Sequence, residues 1–259
     1  MNPQFHCGDC LDVLRGYPAG HFDLLLVDSP YENTDLAFDK QPVNWAALWP
    51  EFERVLTPNG VIVCFAAELF TIDLIASNRR LYCYRRVWAK SKASRYLDKV
   101  WRPLTGHEDL VIFSPAIRSS YYNPQKYRSN KPRKNTTRKD TKQSHYKSQR
   151  YAAEYQDDGT RYPTTVLYYA SVGTTAPHLN STAKPVPLVQ ELVLTYCPFG
   201  GRVCEPFMGD GPAAHACRNI GLDYVGIELN RKQFNWTVAH YRRCAPLFSQ
   251  ELTTHAQAA

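Results

Sequence analysis

The stretch FDLLLVDSPYENT, Phe22 to Thr34, decides how this chain is read. Leu24, Leu25, Leu26 and Val27 form a short unbroken apolar run, the pattern of a strand buried on both faces of a parallel sheet, and Asp28-Ser29-Pro30 ends it. Residues just past the carboxyl end of such a strand line the ligand crevice of an open α/β sheet. Asp28, Ser29, Pro30 and Tyr31 are therefore expected to face a pocket, with a carboxylate, a rigid turn and an aromatic ring side by side.

Outward from this stretch, strand and helix patterns alternate. A helix is expected over about 44–56, with Leu48, Phe52, Val55 and Leu56 on one face, stopped by Thr57-Pro58-Asn59-Gly60 before a strand at 61–65. A helix near 69–76 and strands near 82–88 and 109–113 follow. After an interruption, order resumes at 165–170, and Val189, Leu192, Val193 and Tyr196 mark a helix from about 186 to 196. The last part predicts a strand at 202–205, a helix at 213–220, a strand at 224–227 and a helix at 232–243. This alternation points to an α/β fold with a doubly wound, mostly parallel sheet.

With 259 residues, 44% hydrophobic and 13% aromatic, the chain can bury a large core, and one domain plus an insertion suffices. No apolar stretch approaches the roughly 20 residues of a membrane helix. The opening MNPQFHCGDC lacks the basic-then-apolar layout of a secretory leader, so a cytoplasmic location without membrane contact is expected. The 8 cysteines are scattered and only Cys7 and Cys10 form a CxxC, without a second pair or a nearby His pair. No metal is expected on that pattern; reduced, mostly buried thiols are.

The net charge of +7 is unevenly placed. Between Arg118 and Arg150 stand 11 basic residues and one acid, Asp140, while the rest of the chain holds 20 basic against 23 acidic residues. Periodicity disappears from Ser119 to about Thr165, which marks a loop-rich insertion. Within it Lys126, Arg128, Lys131, Arg133, Lys134, Arg138 and Lys139 are interleaved with Tyr121, Tyr122, Tyr127 and Tyr146. Cations attract phosphates and rings stack on bases, so this segment is expected to bind nucleic acid and to order upon it.

A second ligand signal lies near the end. GGRVCEPFMGDG, Gly200 to Gly211, closes a strand at Glu205-Pro206-Phe207 and turns through Gly209 and Gly211 into a helix. Glycines admit a ligand close to the backbone, and the helix beyond offers free N–H groups. Glu228, in YVGIELN, ends the next strand 19 positions after Gly209. An acid about 20 residues after a glycine turn is where nucleotide-type sites bind a ribose diol.

DSPY, FMGDG and GIELN together resemble the catalytic, cofactor and ribose motifs of the S-adenosylmethionine-dependent DNA amino-methyltransferases, usually written DPPY, FxGSG and GIE. The catalytic motif comes first, the basic segment follows and the cofactor motif is last. That order resembles the circularly permuted β group, in particular its adenine-N6 members from phages and restriction-modification systems. GDCLDVL, LTPNGVIVCF, RPLTGHEDLVIF, YNPQ, YPTTVLYYA and TAKPVPL extend the likeness along the chain. Protein glutamine methyltransferases share an NPPY-like tetrapeptide but place the glycine motif first. The sequence also lacks the Pro-Cys dipeptide in which cytosine-C5 enzymes carry their nucleophile.

The resemblance implies a Rossmann-like, circularly permuted methyltransferase fold in a bacterial or phage-encoded protein. Its catalytic half would be 1–117, its target-recognition insertion 118–165 and its cofactor half 166–259. It implies S-adenosylmethionine as cofactor and double-stranded DNA as substrate, with a homodimer and a companion restriction endonuclease as partners found among members. Asp28 and the Ser29 carbonyl would accept N–H bonds from the target amine, Pro30 would fix the turn and Tyr31 would stack on a flipped base. Asp9, beside Cys10, would accept from the cofactor's adenine amino group. Phe207 would pack beside the cofactor, with Glu205 near its methionine end. Thr182 and Lys184 would lie near the methionine carboxylate, and Gly209, Gly211 and Glu228 would form the cradle. The implied activity is site-specific transfer to adenine N6. Ser29, where the usual motif has its first proline, keeps cytosine N4 open as the alternative, and a catalytically silent DNA-binding protein is the alternative of another class. Pro212-Ala213-Ala214 stands where Thr-Thr is common, which removes two hydroxyl contacts to the cofactor.

Overall fold

In the computed structural model the described residues are 3–31, 42–129, 136–137, 154–155, 157–173, 179 and 182–244. In chain order they form β1 (Pro3–Cys7), α1 (Cys10–Arg15), β2 (Phe22–Val27), α2 (Trp45–Val55), β3 (Leu56–Ala66), α3 (Glu68–Ser77), β4 (Tyr82–Ser94) and β5 (Thr105–Phe113). Four two-residue strands follow, β6 (Tyr127–Arg128), β7 (Thr136–Thr137), β8 (Glu154–Tyr155) and β9 (Thr160–Arg161). The remainder is β10 (Val166–Tyr169), α4 (Val186–Tyr196), β11 (Arg202–Glu205), α5 (Pro212–Ile220), β12 (Asp223–Glu228) and α6 (Arg231–Arg243).

Eight strands make one sheet in the order β1-β12-β11-β2-β3-β5-β4-β10, and β5 alone runs against the other seven. The apolar run that opened the sequence sits at its centre, and its side chains alternate between two cores as strand geometry requires. Leu24 and Leu26, with Val61 and Val63, pack against Leu188, Leu192, Ala213 and Ala216 of α4 and α5. Leu25 and Val27, with Ile62 and Cys64, pack against Leu14, Trp49, Phe52 and Leu74 of α1, α2 and α3. Helices thus cover both faces, which is why β2 and β3 read as continuous apolar runs rather than alternating ones.

The sheet reverses its winding between β11 and β2. These two strands are parallel neighbours, yet the chain leaves β11 through α5 for β12 on one side and leaves β2 through α2 for β3 on the other. Two connections departing in opposite directions open a crevice at the carboxyl ends of this pair.

Helix starts follow local chemistry. Asn44 caps α2 by accepting from Ala47 N, and Asn230 caps α6 by accepting from Lys232 N and Gln233 N. The stop at Thr57-Pro58-Asn59-Gly60 lies inside β3: Phe22 pairs with Leu56 and Leu24 already with Val61, so residues 57–60 loop out of register. Gly60 is required there, because a Cβ would stand 2.7 Å from Leu56 Cδ2 and 3.0 Å from the Thr57 carbonyl. Two elements depart from the sequence expectation. β1 was not expected, since Phe5 is its one strongly apolar side chain; its pairing with β12 along Pro3–Cys7 supplies the order that composition does not. β4 and β5 each extend beyond the expected strands as a polar hairpin that is held by pairing with itself.

The chain divides into two compact units, one running to Asn123 and resuming at Thr164, the other Pro124–Pro163. Residues 118–123, expected in the insertion, belong to the first: Tyr121 N donates to Asn59 O, and Asn123 N to Thr195 O. In the second unit β6 pairs with β9 and β7 with β8, both antiparallel. Arg161 forms a buried ion pair with Asp157 at 2.6 Å. No helix among the described residues is long and apolar enough to cross a membrane.

Candidate active site

The carboxyl ends of β2, β11, β12 and β1 bring four sequence signals to one edge of the sheet. Leu25 is level with Cys204, Glu205 with Gly226, and Cys7 with Glu228, so Asp28, Glu205, Glu228 and Asp9 stand at the ends of adjacent strands. At about 4.8 Å per strand, the β2 and β12 ends are about 10 Å apart. Asp28-Tyr31 and Gly209-Gly211 thus flank the crevice at the reversal.

The glycine turn is fixed from several sides. Gly209 and Gly211 have φ of 51° and 70°, the left-handed region that favours glycine, and a Cβ on Gly211 would meet Thr237 Cγ2 at 2.9 Å. Thr237 Oγ1 donates to Gly209 O at 2.6 Å, and Gln233 Nε2 donates to Asp210 Oδ1 at 2.6 Å. Glu228 accepts from Gly209 N at 3.0 Å through one oxygen and from Asn230 N at 2.8 Å through the other. Burial pushes the Glu228 carboxyl up, against the pull of those two backbone donors. A carboxylate has about four lone-pair sites, so two remain for a diol.

Other cofactor candidates occupy distinct settings. Asp9 caps α1, its Oδ1 accepting from Leu11 N at 2.9 Å and Asp12 N at 3.3 Å, which leaves Oδ2 for a ligand donor. Cys10 is buried, and burial followed by the Asp9 charge pushes its thiol up to about 12, so it can offer a ligand packing but no thiolate. Phe207 packs half-buried on the α1 side of the sheet. Glu205 is buried and accepts from Tyr224 Oη at 2.6 Å; burial raises its carboxyl well above the ordinary range. Thr182 is exposed, and its carbonyl lies 3.4 Å from Lys184 Nζ. This donor set, two carboxylates flanking a glycine turn that leads into a helix, fits a nucleoside-type ligand.

The centre of the site is a network of four charges. Lys184 Nζ lies 2.8 Å from the Asp28 carboxylate and 3.6 Å from Glu108 Oε2, and Lys90 Nζ lies 2.6 Å from Glu108 Oε1. Two ammonium groups thus balance two carboxylates. Lys184 is the loop residue before α4, Lys90 lies on β4 and Glu108 on β5, so the network ties three segments to the end of β2. Burial lowers the Lys184 ammonium, but Asp28 and Glu108 more than reverse this and hold it above its ordinary value. Burial raises Glu108, which Lys184 and Lys90 outweigh, leaving its carboxyl below the usual range. Asp28 ends above its ordinary value, because burial outweighs the pull of Lys184 and Tyr31. Its side chain keeps 27% exposure against 5% for Lys184, so of the two Asp28 is the one open to a substrate.

Tyr31 Oη donates to Asp28 Oδ1 at 2.9 Å, and the Tyr31 ring stacks on Phe70 with centroids 5.1 Å apart and planes at 19°. Lys184 sits 5.5 Å from the centroid of Tyr31 and 5.2 Å from that of Phe65. Ser29 is buried behind them.

The resemblance places Lys184 near a methionine carboxylate, whereas here its ammonium bonds Asp28. A buried cation requires counter-charge, and two carboxylates are within reach. Sequence reasoning passed over Glu108, Lys90 and Phe70. The one available signal was a charged pair, Glu108-Asp109, opening the apolar strand that ends at Phe113. In the insertion, Lys126 lies 3.8 Å from Asp158 and its Nζ 4.6 Å from the Tyr162 ring centroid, and Arg128 is exposed on β6. Lys131, Arg133, Lys134, Arg138 and Lys139 lie outside the described residues.

Known proteins resemble this chain in sequence and fold. The chain is 22% identical over 246 residues, 90% of its length and 72% of the relative's, to the type II methyltransferase M.HpaI of Haemophilus parainfluenzae. Its fold matches the PvuII cytosine-N4-specific DNA methyltransferase with a TM-score of 0.70 at 11% identity, covering 96% of this chain and 89% of that one. It matches M1.HpyAVI, solved as a complex with SAM, with a TM-score of 0.62 at 16% identity, covering 93% and 100%. A third structure, TTHA0409 of Thermus thermophilus complexed with S-adenosyl-L-methionine, gives a TM-score of 0.59 at 18% identity over 97% and 99%. The family profile N6_N4_Mtase, described as DNA methylase, matches residues 23–239, and the chain belongs to that family.

Proposed function

We propose that this protein transfers a methyl group from S-adenosylmethionine to the N6 amine of adenine in DNA, at a specific site, after the base has been turned out of the helix. The observation that carries the reading is the open Asp28 carboxylate, steadied by Lys184 and Tyr31 and set one strand away from the glycine turn. When bound, the cofactor supplies an electrophilic methyl on a sulfonium. Asp9 and Glu228 would take its polar adenosine groups and Gly209-Gly211 its close approach.

An exocyclic amine is a poor nucleophile because its lone pair is delocalised into the ring. Asp28 and the Ser29 carbonyl would each accept one N–H, which favours a pyramidal nitrogen with its lone pair aimed at the methyl. The cofactor would supply the methyl group to the nitrogen's lone pair and keep the electrons of the bond it gives up, and Asp28 would take the surplus proton of the amine and pass it to solvent. Tyr31, backed by Phe70, would stack on the extruded base, offsetting an unstacking cost of a few kcal/mol. The basic insertion, with Lys126, Arg128 and the lysines and arginines between them and Lys139, would hold the DNA backbone.

Ser29 favours a second reading, transfer to cytosine N4, because it departs from the adenine-type motif at the residue next to the catalytic carboxylate. Nucleoside analysis of DNA from cells producing the protein separates the readings. N6-methyladenine without N4-methylcytosine is expected. The reverse pattern moves the target to cytosine, and neither base modified points to the catalytically silent DNA-binding alternative.

A further inference from the structure

On the sheet face covered by α5 and α6, His215, His240 and Cys244 gather ligand atoms that all lie within 4.8 Å of one another. The sequence hides this group: His215 comes from one helix, and His240 and Cys244 are four residues apart at the end of another. We propose that His215, His240 and Cys244 form a binding site for a soft divalent transition ion of the zinc class, with solvent completing its coordination.

The geometry is close to what such an ion needs. Around a tetrahedral zinc with ordinary Zn–N and Zn–S lengths, nitrogen and sulfur stand about 3.5 Å apart. Cys244 Sγ lies 3.4 Å from His240 Nε2 and 3.9 Å from Nδ1, so the separation suits a shared ion and a turn of the imidazole would aim the Nε2 lone pair at it. His215, whose ligand nitrogen lies within 4.8 Å of the other two, requires a closure of up to about 1.5 Å, within the reach of a side-chain rotation. Two imidazoles and a thiolate are a soft set that selects zinc or copper over magnesium or calcium.

The end of α6 is held in place for this. The Arg218 guanidinium of α5 donates to the Tyr241 carbonyl at 2.5 Å and to the Cys244 carbonyl, and lies over the Tyr241 ring at 3.3 Å. Trp236 stacks on His240 with centroids 4.8 Å apart and planes at 9°, so a change at that imidazole is reported by the indole. All three donors are half-buried, reachable by an ion yet partly shielded from water. Binding exchanges the Cys244 S–H bond for S–metal and releases that proton, and the resulting thiolate offsets the ion's charge beside Arg218. No oxidant or reductant is involved.

The full chain, dialysed against chelator and titrated with Co²⁺ in the presence of a non-thiol reductant, tests the site. One equivalent should produce a thiolate-to-cobalt absorption band, displaced by Zn²⁺, together with quenching of Trp236 fluorescence. Cys244→Ser should abolish the band, His215→Ala should weaken metal affinity more than about tenfold, and Cys83→Ser should change neither. Alkylation of Cys244 in the unaltered protein, followed by mass spectrometry, needs no variant: Zn²⁺ should slow it severalfold. Absence of the band at stoichiometric Co²⁺, a band that survives Cys244→Ser, or alkylation unaffected by Zn²⁺ would overturn the proposal. None of these readouts depends on methyl transfer.

Discussion

The strand-end site and the basic insertion use the same kinds of side chain in opposite ways. At the strand ends Lys184 is 5% exposed against Asp28 at 27%, and Lys90 13% against Glu108 at 13%, so both pairs are largely withdrawn from solvent. In the insertion Lys126 is 38% exposed, 3.8 Å from an Asp158 that is itself 59% exposed, and Arg128 is exposed. Buried ion pairs are screened little by salt and hold geometry; exposed cations are screened strongly and contribute little to stability, which leaves them to a polyanion. The contrast fits the proposed division of chemistry in one region and attraction of the substrate in the other, and it can be broken at either end.

The largest effect is expected at Asp28. Asp28→Ala should lower methyl transfer about 100- to 10,000-fold while cofactor affinity stays within a fewfold, measured by single-turnover transfer and calorimetry. Turnover near the original rate would remove the carboxylate from the mechanism. Next, Glu228→Ala removes the proposed acceptor for the cofactor's ribose, and affinity measured by calorimetry should fall about 10- to 150-fold, the equivalent of a charged hydrogen bond.

Lys184→Met sharpens the comparison through pH. In the proposed mechanism Asp28 must be ionised to take the surplus proton of the amine, and in the folded protein its pKa already lies above the ordinary value because burial outweighs Lys184. Activity is therefore lost as pH falls through that raised pKa, earlier than for an exposed aspartate. Removing the ammonium that opposes the rise should move the acidic limb of the rate profile to still higher pH; an unmoved limb would show that Lys184 does not set the charge of Asp28. The smallest effect belongs to the insertion. Lys126→Ala with Arg128→Ala should weaken DNA binding severalfold and reduce the salt slope by about two, with kcat at saturating DNA unchanged.

The sheet was legible because β2, β3, β11 and β12 are buried on both faces, and uninterrupted apolar runs next to glycine and proline turns leave little choice of element. α4 and β11 fall at the residues their pattern marks. β1 was not legible, since a strand with one large apolar residue is held by its neighbour rather than by its own composition. The same distinction runs through the site. Asp28, Gly209 and Glu228 sit in local motifs whose spacing carries meaning. Glu108 and Lys90 have no motif: they matter because β4 and β5 return to the edge where β2 ends, which is a property of the sheet order. The bond from Lys184 to Asp28 spans 156 positions and follows from the burial of an ammonium that must find a counter-charge.

The central claim is that the end of β2 and the turn after β11 form a single transfer site. A crystal structure with a non-reactive analogue of S-adenosylmethionine, carrying an amine in place of the methylsulfonium, tests it directly. The account predicts ribose hydroxyls on the Glu228 carboxylate and the amine directed toward the crevice at Asp28 and Tyr31. An analogue bound with its amine turned away from Asp28, or bound without contact to Glu228, would contradict it.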